Sequence, residues 1–374
     1  MENPGGLKIL HLTTHLNVGG ITSYIQGVGQ ELMKRGHEVT VLSSGGERED
    51  MFAAKGFRVF SLPIKTKNEF SLKILFALPK VIRLVKHEKF DLIHAHTRVT
   101  QVLASLVSRF TGVPYMTTAH GYYKPRFGRR LLGCWGKRVV AISPLVAEEL
   151  EKAHKVSKSK IRVVFNAIDI EEYRRRILEK NSTEIRRDFG LNERTFIIGA
   201  VGRLVKDKGH EYLIEAVGKL KKKYEDVFLI IVGDGRENDR LRKLIKKLKL
   251  EACVRLVPSE QDITRILSIL DVFAHPATFR EGFGLVLLEA MVAKIPVVAS
   301  NIWAINSIIR NHVNGFLVEP KSANQIADAV SFIIENPEVV GSVVQNGYEI
   351  ATQLYSMNRM ANELETVYAE VKKP

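Results

Sequence analysis

Residues 271–300 read DVFAHPATFREGFGLVLLEAMVAKIPVVAS, and this segment determines the fold that the sequence predicts. Short apolar runs at Val272–Ala274 and Pro296–Ala299 are typical of buried strands, and the run at Leu285–Val292 is typical of a helix. A strand, a helix and a second strand in this order form the βαβ unit of a parallel sheet. The segment therefore predicts an α/β fold.

Two glutamates lie in the same segment, with seven residues between them. Glu281 precedes Gly-Phe-Gly, which can break the chain and leave amides and a helix N-terminus free. Glu289 follows about one and a half turns into the helix. Two such carboxylates can accept hydrogen bonds from sugar hydroxyls. A helix that only packs in a core would not carry a glutamate in so apolar a run.

The same alternation extends through the whole chain. In the first half the predicted strands are Leu7–Leu12, Glu38–Leu42, Arg58–Leu62, Leu92–Ala95, Pro114–Thr118 and Val139–Ile142. In the second half the further strands are Phe196–Val201, Phe228–Val232, Val254–Val257 and Gly315–Val318. We predict two doubly wound Rossmann-like domains that face each other across a cleft. Their bounds are 1–168 and 195–350, with a polar linker at 169–194 and a C-terminal helix within 351–374 that can cross back to the first domain.

Each predicted domain begins with a strand that leads into a phosphate-binding type of loop. In the first, Gly19 and Gly20 precede a helix, where backbone amides can approach an anion. In the second, Gly202 is followed by Arg203 and Lys208, which are well placed for a diphosphate. Another tight turn begins at Gly233. The alternative is that these glycines serve only the packing of the turns and that these cations are ordinary solvent-exposed side chains.

The positive charge is concentrated in the first half of the chain. The formal net charge is +15, and residues 1–180 hold 30 Lys/Arg against 16 Asp/Glu, a net of +14. Three interpretations are open for the densest stretch, residues 122–138: a solvated basic surface, a nucleic-acid surface, or contact with an anionic membrane or lipid-linked substrate. We favour the third and rank nucleic acid last. Its cations are Lys124, Arg126, Arg129, Arg130, Lys137 and Arg138.

Composition predicts the compartment. The cysteines Cys134 and Cys253 lie far apart and form neither a metal-binding spacing nor a disulfide framework. The N-terminus lacks the pattern of a signal peptide, and no apolar stretch is long enough to span a bilayer. We therefore expect a cytoplasmic protein, attached peripherally to the inner face of the membrane.

The motifs together resemble a known family. GRLVKDKG (202–209), VGDGR (232–236) and EGFGLVLLE (281–289), in this order and spacing, look like the C-terminal half of retaining GT-B glycosyltransferases of family 4, the glycosyl transferases group 1. N-terminal pieces agree with the same family: VGG at 18–20, RGHEV at 35–39, DLIHAHT at 91–97, TAHG at 118–121 and NAID at 166–169. The resemblance implies a donor-binding C-terminal domain and an acceptor-binding N-terminal domain.

The resemblance also implies roles in donor binding. Arg203 and Lys208 match the cations that hold the donor diphosphate. Glu281 matches the acid that contacts hydroxyls of the transferred sugar, and Glu289 matches the one that binds ribose. The backbone amides that would face sugar and phosphate are those of Phe283, Gly284 and Leu285.

Two residues of the first domain complete the implied site. Gly20 matches the glycine that approaches the phosphates, and His120 matches the histidine near the reacting carbon. The mechanism implied is front-face transfer with retention, in which the leaving diphosphate can take the acceptor's proton. The sequence contains no Asp-x-Asp, so we expect Arg and Lys in place of a metal ion, and no cofactor.

One loop departs from the family pattern. Trp303, Ala304 and Ser307 follow the PVVAS strand, where the family usually has Gly-Gly and then Glu. Thr22 replaces a common acid and Ala167 a usual glycine. We expect an active enzyme with an unusual donor loop, and the alternative is a sugar-nucleotide-binding protein without activity.

The predicted activity is sugar transfer from a nucleotide-sugar, with UDP preferred over GDP. The predicted acceptor is lipid-linked or a glycan, in the synthesis of cell-surface polysaccharide, lipopolysaccharide or glycolipid. A soluble transferase acting on a small phosphorylated acceptor is the second hypothesis.

Overall fold

The computed structural model describes residues 6–66, 68–123, 133–260, 262–279 and 281–373. They form two units, and each is built around one parallel sheet. Residues 1–167 and 357–374 form the N-terminal unit, and residues 168–356 form the C-terminal unit. None of the helices in the described ranges is both long and apolar enough to cross a bilayer.

The sheet of the N-terminal unit has the order β3-β2-β1-β4-β5-β6-β7, with every neighbouring pair parallel. Its strands are β1 (Lys8–Leu12), β2 (Glu38–Ser43), β3 (Arg58–Ser61), β4 (Leu92–Ala95), β5 (Tyr115–Ala119), β6 (Val139–Ala141) and β7 (Ile161–Val163). Its helices are α1 (Gly20–Lys34), α2 (Glu49–Ala54), α3 (Leu72–Glu88), α4 (Arg98–Thr111), α5 (Pro144–Lys152) and, from the end of the chain, α14 (Met357–Lys372).

Two apolar cores cover the two faces of this sheet. One joins β1 to helices α1 and α14, with Tyr24, Val28, Leu364 and Tyr368 in a single cluster. The other packs β1 and β4 against helices α3 and α4. Because the central strands are covered on both faces, nearly all of their residues are buried, and buried and exposed residues do not alternate along them.

The sheet of the C-terminal unit has the order β10-β9-β8-β11-β12-β13 and is also parallel. Its strands are β8 (Phe196–Val201), β9 (Val227–Val232), β10 (Val254–Val257), β11 (Val272–His275), β12 (Val297–Ser300) and β13 (Phe316–Val318). Its helices are α6 (Ile170–Leu178), α7 (Ser182–Asp188), α8 (His210–Leu220), α9 (Asn238–Lys247), α10 (Thr264–Leu267), α11 (Leu285–Val292), α12 (Ala323–Glu335) and α13 (Pro337–Leu354).

The predicted fold class is confirmed, because each unit is a doubly wound α/β layer structure. Every predicted strand lies within one residue of the observed strand at each end. Strand β7 was not predicted, since it has only three residues, none of them buried.

Residues 169–194, for which the sequence predicts a linker, contain helices α6 and α7 of the C-terminal unit. Helix α6 has no buried residue and α7 buries only Ile185. Helices with so little buried surface have polar sequences, and that composition is the one expected of a linker. The C-terminal helix runs from Met357 to Lys372 and packs in the N-terminal unit, where Arg35 Nη1 donates to Glu365 Oε2 at 2.7 Å.

Candidate functional site

Two loops meet closely at the carboxyl edge of the C-terminal sheet. Strand β8 ends at Val201 and strand β9 at Val232, and each is followed directly by a glycine, Gly202 or Gly233. A Cβ atom on Gly233 would lie 1.9 Å from the carbonyl oxygen of Gly202, so only glycine permits this approach. Ligands of doubly wound folds bind outside the carboxyl ends of the strands, which makes this edge the candidate site.

Lys208, His275 and Glu281 converge at this edge. Lys208 forms an ion pair with Glu281, and both side chains are 18% exposed. His275, the last residue of β11, lies with its Nε2 3.2 Å from the same Glu281 oxygen. The structure thus joins two predicted site residues in one ion pair. His275 was not predicted as a site residue, and its only signal in the sequence is that it directly follows the predicted strand Val272–Ala274.

The electrostatics of Glu281 favour a permanent negative charge. Burial raises the pKa of this carboxyl, but the hydrogen bond from His275 and the charge of Lys208 outweigh burial and hold the pKa well below its usual range. Burial, with the nearby His275 and Lys208, lowers the pKa of His210 to about 4. At neutral pH Glu281 is therefore ionised and the nearby His210 is neutral.

Arg203 is exposed, two residues after the end of β8. Among the residues that the structure describes, no carboxylate forms an ion pair with it. Its guanidinium can thus present several N–H donors to an anion without first breaking an internal pair.

Glu289 lies in helix α11 and is bound by a residue from α6. The hydroxyl of Tyr173 donates a hydrogen bond to Glu289 Oε1. Burial raises the pKa of Glu289 to about 6, although the hydrogen bond from Tyr173 and the positive charge of Arg176 each lower it. Tyr173 was missed by the sequence analysis because it falls in the segment predicted as a linker.

The Gly-Phe-Gly segment forms the start of helix α11. Gly284 has φ 86° and ψ 48°, in the left-handed region that glycine adopts without strain. No side chain caps the helix, so its first amides, including that of Leu285, are open to a ligand. Phe283 is buried, with its ring centroid 5.7 Å from that of Tyr355.

In the N-terminal unit, helix α1 begins at Gly20 with no side-chain cap. A Cβ atom on Gly19 or Gly20 would meet no atom within 4 Å. Packing within the chain therefore does not require glycine at either position, and this favours the interpretation that a ligand approaches the backbone there.

His120 is part of a chain of hydrogen-bonded histidines. Nδ1 of His11 lies 2.8 Å from Nε2 of His96, and Nδ1 of His96 lies 3.0 Å from Nε2 of His120. His11 is on β1, His96 follows β4 and His120 follows β5, so three adjacent strands bring them together. The sequence analysis assigned a role only to His120.

A fourth histidine adjoins this chain. His94 is bound through Nδ1 to the Tyr368 hydroxyl at 2.9 Å and through Nε2 to Thr118 Oγ1 at 2.6 Å. Burial lowers the pKa of His11 and of His120 to about 3. Burial also lowers the pKa of His94 and His96 well below the usual range. All four rings are therefore neutral at physiological pH.

His11, His94 and His96 are close enough together to be tested as metal ligands. Both ring nitrogens of His94 and of His96 already have hydrogen-bond partners. Of the six ring nitrogens of these three histidines, only Nε2 of His11 has no hydrogen-bond partner among the described residues. Since a metal ligand needs a free lone pair, this arrangement does not fit three-histidine coordination.

The basic stretch is only partly described. Lys124, Arg126, Arg129 and Arg130 lie outside the described residues. The other two cations bind helix α14 and the residue after it: Arg138 pairs with Glu370 of the helix, and Lys137 donates to the carbonyl of Lys373 at 2.6 Å. These two cations therefore tie the end of the chain to the N-terminal unit.

In the unusual loop after β12, the residues Trp303, Ala304 and Ser307 differ in their exposure to solvent. Trp303 is 65% exposed, Ala304 is buried, and the Ser307 hydroxyl donates to the carbonyl of Ala304 at 2.7 Å. Trp303 and Ser307 are thus exposed to solvent, whereas Ala304 is part of the core.

Two family matches together account for most of the chain. Residues 18–172 match the family described as Glycosyltransferase Family 4. Residues 181–350 match the family described as Glycosyl transferases group 1.

Relatives and solved structures agree with these matches. The UDP-Gal:alpha-D-GlcNAc-diphosphoundecaprenol alpha-1,3-galactosyltransferase of Escherichia coli is 27% identical over 84% of this chain and 84% of that protein. N-acetyl-alpha-D-glucosaminyl L-malate synthase of Bacillus anthracis is 24% identical over 96% of each. The structure of HepE from Anabaena in complex with UDP and glucose has a TM-score of 0.82 at 23% identity, covering 97% of this chain and 99% of that one. The last likeness shows a shared fold.

Proposed function

The chain belongs to the glycosyltransferases, with residues 18–172 in glycosyltransferase family 4 and residues 181–350 in the glycosyl transferases group 1, and on that premise we propose that it is a retaining, metal-independent transferase. It moves a sugar from a nucleotide-sugar, preferably a UDP-sugar, to a lipid-linked or glycan acceptor. The product contributes to cell-surface polysaccharide, lipopolysaccharide or glycolipid. The protein works peripherally on the inner face of the membrane.

The observation that carries this proposal is the grouping of Lys208, His275 and Glu281 beside Arg203 at the edge of a doubly wound sheet. A nucleotide-sugar needs cations for its diphosphate and hydrogen-bond acceptors for its sugar hydroxyls. This edge supplies both within one hydrogen-bonded group. The free N-terminus of helix α11 adds backbone donors for the phosphates.

The residues of this site have distinct tasks in the proposed reaction. Arg203 and Lys208 neutralise the charge that grows on the departing diphosphate, which is the electrostatic part of catalysis. Glu281 orients the sugar, and Glu289 accepts a hydrogen bond from ribose. No protein nucleophile is required, because the acceptor attacks from the side on which the diphosphate leaves and passes its proton to that diphosphate. Positioning supplies the rest of the acceleration.

The choice of UDP is supported by the names of two similar proteins. The Escherichia coli relative uses UDP-Gal, and the Anabaena structure was solved with UDP and glucose. The lipid-linked acceptor is supported by the same Escherichia coli enzyme, which acts on a sugar diphosphoundecaprenol. The net charge of +14 in residues 1–180 suits an anionic acceptor or membrane.

A second candidate acceptor is a small anion. The Bacillus anthracis relative is an N-acetyl-alpha-D-glucosaminyl L-malate synthase, and the same positive charge would attract a small anionic acceptor such as L-malate. Transfer to L-malate or to a sugar phosphate, with none to lipid-linked sugars, would establish this candidate in place of the first.

Thermal unfolding tests the donor site directly. UDP, GDP, ADP and their sugar conjugates are each added with and without chelator. A ligand at about 100 times its Kd stabilises the folded state by about 2.7 kcal/mol, which raises Tm by several degrees. We expect a shift with UDP compounds that the chelator does not change.

Two variants make this test specific. The shift should disappear in Arg203→Ala and persist in Arg194→Ala, which removes an equally exposed arginine of the same unit. No shift with any nucleotide would contradict the proposed donor site. A shift without turnover on any acceptor would instead support a binding protein that lacks activity.

A further inference from the structure

An unusually apolar surface occurs at the start of helix α3 in the N-terminal unit, on three residues of the helix and on one residue just before it. Phe70, Leu72, Leu75 and Phe76 are 58%, 65%, 55% and 76% exposed, and they lie within seven residues of one another. We call these four residues the apolar face. Single exposed apolar side chains are common, but four large ones together mark a surface that meets something other than water.

The fold does not require this surface. Helix α3 packs against the sheet through a separate stripe, Ile74, Ala77, Val81 and Val85, all of which are buried. Helical geometry places Leu72, Leu75 and Phe76 on the opposite side from that stripe. The helix is therefore apolar on two sides over its first two turns.

The remainder of the outward side is cationic. Lys80, Arg83 and Lys86 are exposed along the later turns, and Lys73 is exposed near the start. The single acidic residue of α3, Glu88, is paired with Arg58 at 2.7 Å. The outward side thus combines exposed apolar groups with positive charge that no acid of the helix neutralises.

The apolar face lies near the edge of the sheet that carries the histidines. Glu69 precedes Phe70 in the chain, and its Oε1 lies 3.6 Å from Nε of Arg98. Arg98 is the first residue of α4 and lies two positions after His96. Arg98 also donates to the carbonyl of Gly133 at 3.1 Å. The first turns of α3 therefore belong to the carboxyl edge, where ligands of this fold bind.

We propose that the apolar face and the cations of α3 form the docking surface for an anionic lipid bilayer. Phenylalanine and leucine insert to the depth of the headgroups, and lysine and arginine bind the anionic phosphates. A protein partner would need a groove that is both acidic and apolar. An anionic bilayer provides negatively charged headgroups next to hydrocarbon chains over its whole surface. The idea that this surface brings a lipid-linked acceptor to the edge of the sheet rests on the proposed function. The binding itself does not.

Vesicle sedimentation tests the proposal. The full chain is mixed with vesicles of phosphatidylcholine and phosphatidylglycerol, and with phosphatidylcholine alone, at low and high salt. We expect binding to the anionic vesicles, weakened by salt. Leu75→Ser/Phe76→Ser should reduce partitioning roughly tenfold, because two apolar side chains no longer insert.

Two further variants separate the causes. Leu178→Ser removes a leucine that is 79% exposed in the C-terminal unit, and it should bind vesicles like the wild type. Arg83→Ser/Lys86→Ser should lose the preference for anionic vesicles while keeping weak binding to neutral ones. Vesicle binding that is unchanged in Leu75→Ser/Phe76→Ser would overturn the proposal.

Other outcomes also overturn it. If that double variant dissociates an oligomer seen by light scattering and binds vesicles normally, the apolar face is a protein interface. If only Arg126→Ser/Arg129→Ser/Arg130→Ser abolishes binding, the membrane contact lies in the basic stretch instead. Thermal unfolding with UDP is measured on each variant, because loss of that shift concerns the donor site and loss of vesicle binding concerns this surface.

Discussion

Nδ1 of His96 lies 3.0 Å from Nε2 of His120, and the other ring nitrogen of His96 is bound by His11. The ring of His120, which we place in the active site, is thus hydrogen-bonded to the buried ring of His96, and His96 is in turn hydrogen-bonded to the buried ring of His11. In a hydrogen bond between neutral imidazoles, one nitrogen must carry the proton and the other must accept it. The protonation of one ring therefore determines that of the next.

The first prediction is the tautomer of His120. Nε2 of His11 is buried without a described partner, and a lone pair there costs less than an N–H. His11 then donates from Nδ1, His96 donates from Nδ1, and His120 accepts at Nε2. His120 should be neutral with its proton on Nδ1, so that it offers a donor, and not a base, to a substrate. Nitrogen NMR of histidine-labelled protein at pH 7 identifies the protonated nitrogen directly.

Variants of two neighbouring histidines test the cause. His96→Phe removes the donor to His120 and should give a mixture of His120 tautomers. His94→Asn alters an equally buried ring that binds Tyr368 and Thr118, and should leave the His120 tautomer unchanged. A proton on Nε2 of His120 in the wild type would refute the proposed direction of the chain.

The second prediction concerns the ion pair of Glu281 and Lys208. Glu281→Gln leaves the ammonium without its partner, so we expect a loss of about 1–3 kcal/mol in unfolding free energy and a roughly 100-fold lower rate of transfer. Glu335→Gln breaks an exposed pair with Lys223 and should change neither quantity measurably. Denaturant unfolding and a radiolabelled-sugar assay provide the two readouts.

The third prediction is the acid dependence of that ion pair. The pKa of Glu281 is lower in the folded state than its ordinary value of 4.5. The unfolded state therefore takes up the proton first as the pH falls, and the contribution to stability, complete well above pH 4.5, declines below it. Unfolding free energies of the wild type and Glu281→Gln should converge between neutral pH and pH 3. Parallel curves would show that this carboxyl does not cause the decline.

The fourth prediction concerns Glu289, whose pKa shift has the opposite sign. Because burial raises its pKa to about 6, ionisation of this carboxyl destabilises the folded state by about 2 kcal/mol above pH 6. Glu289→Gln should stabilise the protein at pH 8 by up to that amount and weaken UDP binding about tenfold, since the amide replaces a charged acceptor. Calorimetric titration with UDP and denaturant unfolding measure both effects.

The control for Glu289 is another carboxyl whose pKa burial raises. Glu363 lies in the N-terminal unit and pairs with Arg359 at 2.6 Å. Glu363→Gln should leave UDP binding unchanged. If Glu289→Gln also binds UDP normally, ribose does not contact this residue.

The fifth prediction is independence from metal ions. Arg203 and Lys208 provide the positive charge for the diphosphate, and the histidines near His96 are engaged with one another. Chelator should leave the transfer rate within about twofold, and elemental analysis should find metal well below one ion per chain. A tenfold loss in chelator that Mg²⁺ or Zn²⁺ restores would contradict the prediction.

Local sequence patterns predicted twelve of the thirteen strands and the loops that carry the candidate site. Strand and helix periodicity are local properties, so all strands except β7 were predicted to within one residue. The positions of Arg203 after a strand, Glu281 in a loop and Glu289 inside a helix followed from the same alternation. Helices α6 and α7 were not predicted, because surface helices that bury almost nothing have the composition of a linker.

Only the tertiary structure decided which of these residues meet. The pairing of Lys208 with Glu281 joins residues 73 positions apart, and the hydrogen bond from Tyr173 to Glu289 joins residues 116 positions apart. The histidine chain has steps of 85 and 24 positions. Parallel pairing brings the carboxyl ends of separate strands to one edge, and the register of each pair determines which side chains touch. That register depends on the packing of the whole sheet, and no local pattern in the chain specifies it.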